Sequence, residues 1–191
     1  SSGGEMIESE LGKIPNRWNV RKFEDVFDFQ EGPGIRNWQY VPTGGTKFIN
    51  IRCIKNNDLF LDDANMISNA EADGIYSHFM INEWDVLVST SGTLGRHAIV
   101  RKEHLPLCLN TSVMRFKPKT NFNHFAFMMG YISSEEFFNH LVSKASGSVQ
   151  SNFGPMHLRQ ISLKYPVDTV IQKYQMLVFP LINKIVKLKS E

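Results

Sequence analysis

Between Asn82 and Arg101 the chain alternates and then breaks. Trp84, Val86 and Val88 alternate with Asp85, Leu87 and Ser89 in a run rich in β-formers, which predicts a strand. Ser89-Thr90-Ser91-Gly92-Thr93-Leu94-Gly95 then interrupts the pattern with hydroxyls and two glycines. From His97 to Val100 an extended, partly apolar run resumes. Strand, glycine loop and strand make this the element around which the rest of the chain is organised. The loop offers backbone N–H groups and short donors beside Arg96, which suits phosphate oxygens or base edges. It also reads as an ordinary hairpin connection.

Elsewhere the pattern predicts short elements. Glu5 to Glu10 reads as an arm or a short helix, and Ile14 and Trp18 as anchors for the N-terminus. Phe23, Val26 and Phe27 stand at helical spacing within Arg21 to Phe29. Glu31 to Tyr40 is a loop in which Gly32-Pro33-Gly34 precedes Arg36, Asn37, Trp38, Gln39 and Tyr40. Thr46 to Ile54, Leu59 to Leu61, Leu105 to Leu109 and Ser112 to Phe116 read as strands. Lys55-Asn56-Asn57-Asp58 reads as a turn, and Met66 to Ile81 is weakly patterned. Phe122 to Ile132 is a largely apolar helix. A second helix runs from a Ser133/Glu136 capping box to about Ala145. A polar, glycine-bearing loop from Lys144 to Pro155 follows, and then a strand from Ile161 to Tyr165. Thr169 and Gln172 suggest another capping box. Beyond it Ile171, Tyr174, Val178, Leu181, Ile185 and Leu188 step by three and four, a heptad-like stripe. Pro180 is expected to kink that helix. The stripe runs almost to the last residue, so either it packs on another chain or the sequence stops within a longer helix.

Composition adds bounds. At 191 residues, 42% hydrophobic and 21% charged, the chain suits one globular domain with or without an appendage. A net charge of +2 does not by itself name a polyanionic partner. The distribution is more telling. Asn56 to Gly95 holds no Lys or Arg but carries Asp58, Asp62, Asp63, Glu71, Asp73, Glu83 and Asp85. Basic residues lie on both sides of it in sequence. If the fold joins those flanks, one basic and one acidic face result. Cys53 and Cys108 lack metal-ligand spacing and read as reduced core residues of a cytoplasmic protein. No apolar run has the length of a membrane span. Ser1 to Gly4 looks like an expression scar. Phosphate-binding loops, dinucleotide fingerprints, zinc-protease and nucleophile-elbow motifs are all missing, which argues against an enzyme.

The order of the pieces resembles a known family. Gly12-Lys13-Ile14-Pro15 followed by Trp18 is similar to the opening of a target-recognition domain in the specificity (S) subunit of type I restriction-modification systems. Asp85-Val86-Leu87 followed by Gly92 and Gly95 continues the pattern. Ser146-Gly147-Ser148-Val149-Gln150-Ser151-Asn152, Ile161, Pro166 and a long helix complete it. The resemblance spans about Glu8 to Lys189. It implies a non-catalytic reader of double-stranded DNA. Modification subunits would dock on the helical region and methylate adenine, and a restriction subunit would cleave. S-adenosylmethionine, ATP and Mg would belong to those partners, so no cofactor is expected here. Complete S subunits usually carry two such domains in tandem. One domain with one helix is therefore a fragment or a half-subunit that dimerises through the stripe.

The expected fold class is α+β: a twisted, mostly antiparallel sheet with short helices (residues 5–167), followed by a long C-terminal coiled-coil helix (168–191). Resemblance does not transfer base contacts, so side-chain chemistry nominates them. Arg36, Asn37, Gln39, Tyr40, Ser91, Thr93, Ser148, Gln150 and Asn152 are the candidate base readers. Lys47, Arg52, Lys55, Arg96 and Lys144 are the candidate phosphate contacts. Three polar loops are expected to converge: Gly34 to Tyr40, Ser89 to Arg96, and Lys144 to Asn152. The rival reading is a protein-interaction or carbohydrate-binding module.

Overall fold

The central strand, Val86–Ser89, is buried on both faces, and this sets the architecture. A computed structural model describes residues 4–145 and 153–190. In it the central strand lies between His97–Ile99 and Val113–Pro118, antiparallel to both. Phe27–Glu31 closes the four-stranded sheet beyond Val113–Pro118. Val86 and Val88 pack into one core with Phe23, Phe116, Phe125 and Phe137. Leu87 packs into another with Ile49, Ile54, Val100 and Leu107. The alternation seen in sequence therefore separates two cores, where half-buried strands usually separate core from solvent.

A second four-stranded sheet runs in the order Leu107–Cys108, Thr46–Phe48, Met66–Ile67, Tyr40–Val41. Its first pair is parallel, and the others are antiparallel. Ile35, Phe48, Ile67, Ala72 and Cys108 form the core beneath it. Three two-stranded ladders complete the strand content among the described residues. The fold is thus α+β, with its strands divided between two principal sheets. The thiols of Cys53 and Cys108 lie in different cores, and burial pushes both up, that of Cys108 to about 11.

Several elements differ from the sequence expectation. The helix expected over Arg21 to Phe29 is one turn, Phe23–Val26, and Phe27 begins a strand. Phe27 and Phe29 alternate with Asp28 and Gln30, so period two and pairing with Val113–Pro118 win there. Met6–Ile7 is a strand paired with Ile14–Pro15, where an arm or helix was expected. Trp84 precedes the central strand at φ +68° and packs edge-on against Phe122 and Phe125. Asn56 and Asn57 at φ +52° and +55° form the expected turn, the left-handed pair that two-residue hairpins favour.

The helices longer than five residues are Phe125–Ile132, Glu135–Ala145 and Asp168–Lys189. The cap of the second lies one residue later than expected. Ser134 accepts the Phe137 N–H at 3.2 Å, while the Ser133 hydroxyl sits 3.3 Å from His97 Nε2. The capping box expected at Thr169 does not form; Val167 is the N-cap and gives no side-chain bond. The C-terminal helix runs through Pro180 and lies along the body. Gln175 is 9% exposed, and its Oε1 accepts the Ala126 N–H at 2.7 Å. Phe179 and Ile182 pack on the aromatic core. Lys189 Nζ donates to the Asn57 carbonyl at 2.6 Å. Among the described residues no helix is long and apolar enough to cross a membrane.

Candidate functional site

The register of the first sheet brings three polar segments to one end. Ser89 faces Val113, and Glu31 faces Met114, so the chain leaving Ser89 meets the segment entering Val113. The Thr90 N–H donates to the Ser112 carbonyl at 3.0 Å. The Phe153 N–H donates to the Thr90 carbonyl at 3.0 Å. Asn110 Oδ1 accepts both the backbone N–H and the hydroxyl of Ser112 at 3.0 Å, which shapes the Asn110–Ser112 turn. On the other side Gly32 presses against that turn. A Cβ there would stand 2.6 Å from the Asn110 carbonyl carbon and closer still to its nitrogen.

The result is a cleft of about 160 Å³ lined by Glu31, Thr90, Ser91, Thr111, Ser112 and Phe153. It holds hydroxyls and one carboxylate, and no cation lines it. Burial pushes the Glu31 carboxyl above its ordinary value. An acceptor-rich cleft without a cation suits a donor group and disfavours a phosphate.

Beside the cleft, the glycine loop is held on both flanks. Gly92 and Gly95 take φ +63° and +78°, which explains why glycine stands at each. Gly92 lies against Ile51, and Gly95 against Phe138 and Leu141 of the Glu135–Ala145 helix. The Ser89 hydroxyl donates to the Thr93 carbonyl, closing the loop from within. Arg96 is exposed on this loop. Arg52 is exposed next to Ile51, which touches it.

The candidate base readers divide. Arg36 and Asn37 are exposed, and Trp38 between Asn37 and Gln39 is 82% exposed. Gln39 is hydrogen-bonded through both atoms of its amide. Its Oε1 accepts the Arg36 N–H at 3.0 Å, and its Nε2 donates to Glu71 at 3.0 Å and to Tyr76 at 2.9 Å. That amide is committed to holding its own turn. Tyr40 is half-buried, and its ring packs on Phe48 at 5.4 Å. Ser91 lines the cleft, and Thr93 is exposed on the glycine loop. Ser148, Gln150 and Asn152, with the side chain of Lys144, lie outside the described residues. Two of the three expected loops can therefore be placed. Ser89 to Arg96 forms one wall, and Gly34 approaches Thr111, with 3.8 Å between the position of a Cβ and Thr111 Cγ2.

Sequence reasoning missed Glu31 and the Asn110–Ser112 turn. The only signal was a polar tripeptide between two expected strands, hidden when Ser112 was assigned to the second.

Lys47, Arg52, Lys55 and Arg96 have no carboxylate partner among the described residues. Lys55 is set apart, on the hairpin that receives Lys189. The expected separation into acidic and basic faces is incomplete. Asp58 pairs with Arg101, and Asp85 lies 3.7 Å from Arg115. Burial opposes ionisation of Glu103, yet bonds from Arg101 and Ser190 hold its carboxyl down to about 2. The candidate helix interface also divides. Ile171 is buried against the body and Val178 is half-buried, whereas Tyr174, Leu181, Ile185 and Leu188 are exposed. Leu177, outside the expected stripe, is 74% exposed and belongs to the same outer face.

Among the described residues no group of three His, Cys, Asp or Glu side chains is arranged to hold a metal. No curated protein matches the sequence. Solved structures similar in fold include three of type I restriction-modification systems. A chain from a structure on complex assembly and conformational transition of the type I R-M system gives a TM-score of 0.63 at 13% identity, covering 93% of this chain and 41% of that one. The HsdS subunit from Thermoanaerobacter tengcongensis gives 0.62 at 13% identity, with 95% and 41% covered. The S subunit of a type I restriction-modification system from M. genitalium gives 0.56 at 14% identity, with 92% and 41% covered. The chain thus spans about 41% of the length of each. The model of the type I restriction modification DNA specificity domain matches residues 15–183, and the chain belongs to that family.

Proposed function

We propose that this chain reads DNA sequence for a type I restriction-modification complex. The observation that carries this reading is the convergence of polar segments on one end of the sheet, in a chain of the specificity-domain family. Residues of the glycine loop, the Asn110–Ser112 turn and the Arg36–Trp38 segment meet base edges. Arg52 and Arg96 hold phosphates beside the loop. The domain is non-catalytic. It directs adenine methylation by modification subunits and cleavage by a restriction subunit, and S-adenosylmethionine, ATP and Mg act on those partners. The outer face of the C-terminal helix, Leu177, Leu181 and Leu188, with Tyr174 and Ile185 at its edge, packs on a second recognition domain's helix or on a second copy of this chain.

Fluorescence anisotropy on a labelled duplex tests the reading across a salt series. If Arg52 and Arg96 each neutralise a phosphate, log K falls against log salt with a slope of about −2. Binding without salt dependence, or no binding at low salt, refutes it. Co-expression with the modification subunit of the same locus, followed by genome-wide mapping of methylated adenine, then yields the target motif.

A further inference from the structure

The cleft beneath the glycine loop has a property that phosphate binding does not explain. Glu31 is half-buried at the end of its strand, with no hydrogen-bond or ion-pair partner for its carboxyl among the described residues. Thr90, 2% exposed, also lines the cleft. Among the described residues the Glu31 carboxylate is thus an acceptor left open in a cleft otherwise lined by hydroxyls. A carboxylate accepts only, so the ligand must present N–H or O–H. It also repels phosphate, so the DNA group that enters is on a base. In the major groove the donors are the exocyclic amino groups, N4 of cytosine and N6 of adenine. Guanine O6 and thymine O4 present acceptors and are rejected, because acceptor would meet acceptor.

We propose that Glu31, with Thr90 in the same cleft, reads an exocyclic amino group on the major-groove edge of one base of the target. This rests on the DNA-reading function above and adds to it a discriminating residue. Glu31 sets specificity by refusal as much as by attraction. Ser91, Thr111 and Ser112 supply hydroxyls that donate or accept, so they adapt to whichever neighbouring atom the chosen base presents.

The test selects duplexes with a randomised centre on the full chain and on Glu31→Gln. The glutamine keeps the shape but offers a donor as well as an acceptor, so it no longer refuses acceptor edges. At one position of the selected motif, preference for the amino-bearing base should fall roughly 5- to 150-fold, with other positions unchanged. Thr90→Val should weaken preference at the same position. Replacing the selected cytosine by 2-pyrimidinone, or the selected adenine by purine, removes the amino group and identifies the base. That replacement should cost wild type a similar factor and cost Glu31→Gln little. If Glu31→Gln binds all sequences more tightly with its motif intact, the carboxylate only repels phosphate and the proposal falls. A motif unchanged in both variants overturns it too. If wild type shows no salt-dependent duplex binding, the DNA-reading function itself fails, an outcome distinct from the other two.

Discussion

Replacing Gly32 by alanine should damage stability and sequence reading together, because Gly32 joins the strand carrying Glu31 to the turn opposite. The added methyl would stand 2.6 Å from the Asn110 carbonyl carbon. Ordinary contact between carbon atoms is about 3.5–4.0 Å, so the two backbones must part by roughly 1 Å. The obstacle is main chain on both sides, so no side chain can swing away. Strand pairing between Phe27–Glu31 and Val113–Pro118 resists the shift from just beyond the contact. Overpacking of this kind costs about 1–3 kcal/mol. For a chain of this size that is a fall in Tm of roughly 2–12 °C. The same displacement widens the cleft between Glu31 and Ser112. The variant should therefore select a degraded motif while retaining the salt-dependent part of its duplex affinity. Urea or thermal denaturation reads the first effect, and selection from a randomised duplex pool reads the second. A Gly32→Ala protein with wild-type Tm and wild-type motif would refute the reasoning, since the backbone approach would then constrain nothing.

Other perturbations probe the rest of the frame. Gln175→Leu leaves the Ala126 N–H buried without an acceptor and should cost about 1–3 kcal/mol in denaturant unfolding; an unchanged midpoint would mean that the helix does not depend on this bond. Glu103 has a folded pKa below its unfolded value, so its stabilisation is complete above pH 4.5 and is lost as pH falls from there to about 2. The Tm difference between wild type and Glu103→Gln should accordingly be present at pH 7 and shrink across that interval. It should be small, because the side chain is 45% exposed; a difference that does not vary with pH would count against the assignment. Leu177→Asp with Leu181→Asp should abolish any self-association seen by sedimentation and leave the Tm of the monomer within about 1–2 °C, since both side chains lie on the surface.

What the sequence disclosed, and what it hid, follows from which interactions are local. Period two in Trp84 to Ser89 announced a strand, and two glycines announced a loop needing left-handed backbone, because those signals are written within a few residues. The three long helices were equally legible, but helix facing was not. The C-terminal helix is apolar on two sides. Ile171, Phe179 and Ile182 turn inward, Leu177, Leu181 and Leu188 turn outward, and Tyr174 and Ile185 stand at the edges, Tyr174 beside Gly130. Spacings of three and four fit either set, so the sequence stripe mixed them, taking Ile171 and Val178 from one side and omitting Leu177 from the other. The site shows the same division more sharply. Gln39 was nominated for what an amide can do to adenine, yet its amide is occupied by Glu71 and Tyr76, far along the chain. Glu31 drew no notice as the first residue of a loop, yet among the described residues the fold leaves its carboxyl without a partner in a cleft lined by no cation. Reading capacity depends on donors and acceptors left unused after folding, and distant segments decide which ones those are. A residue's type sets what it can offer a base, and its tertiary neighbours decide whether the offer remains open.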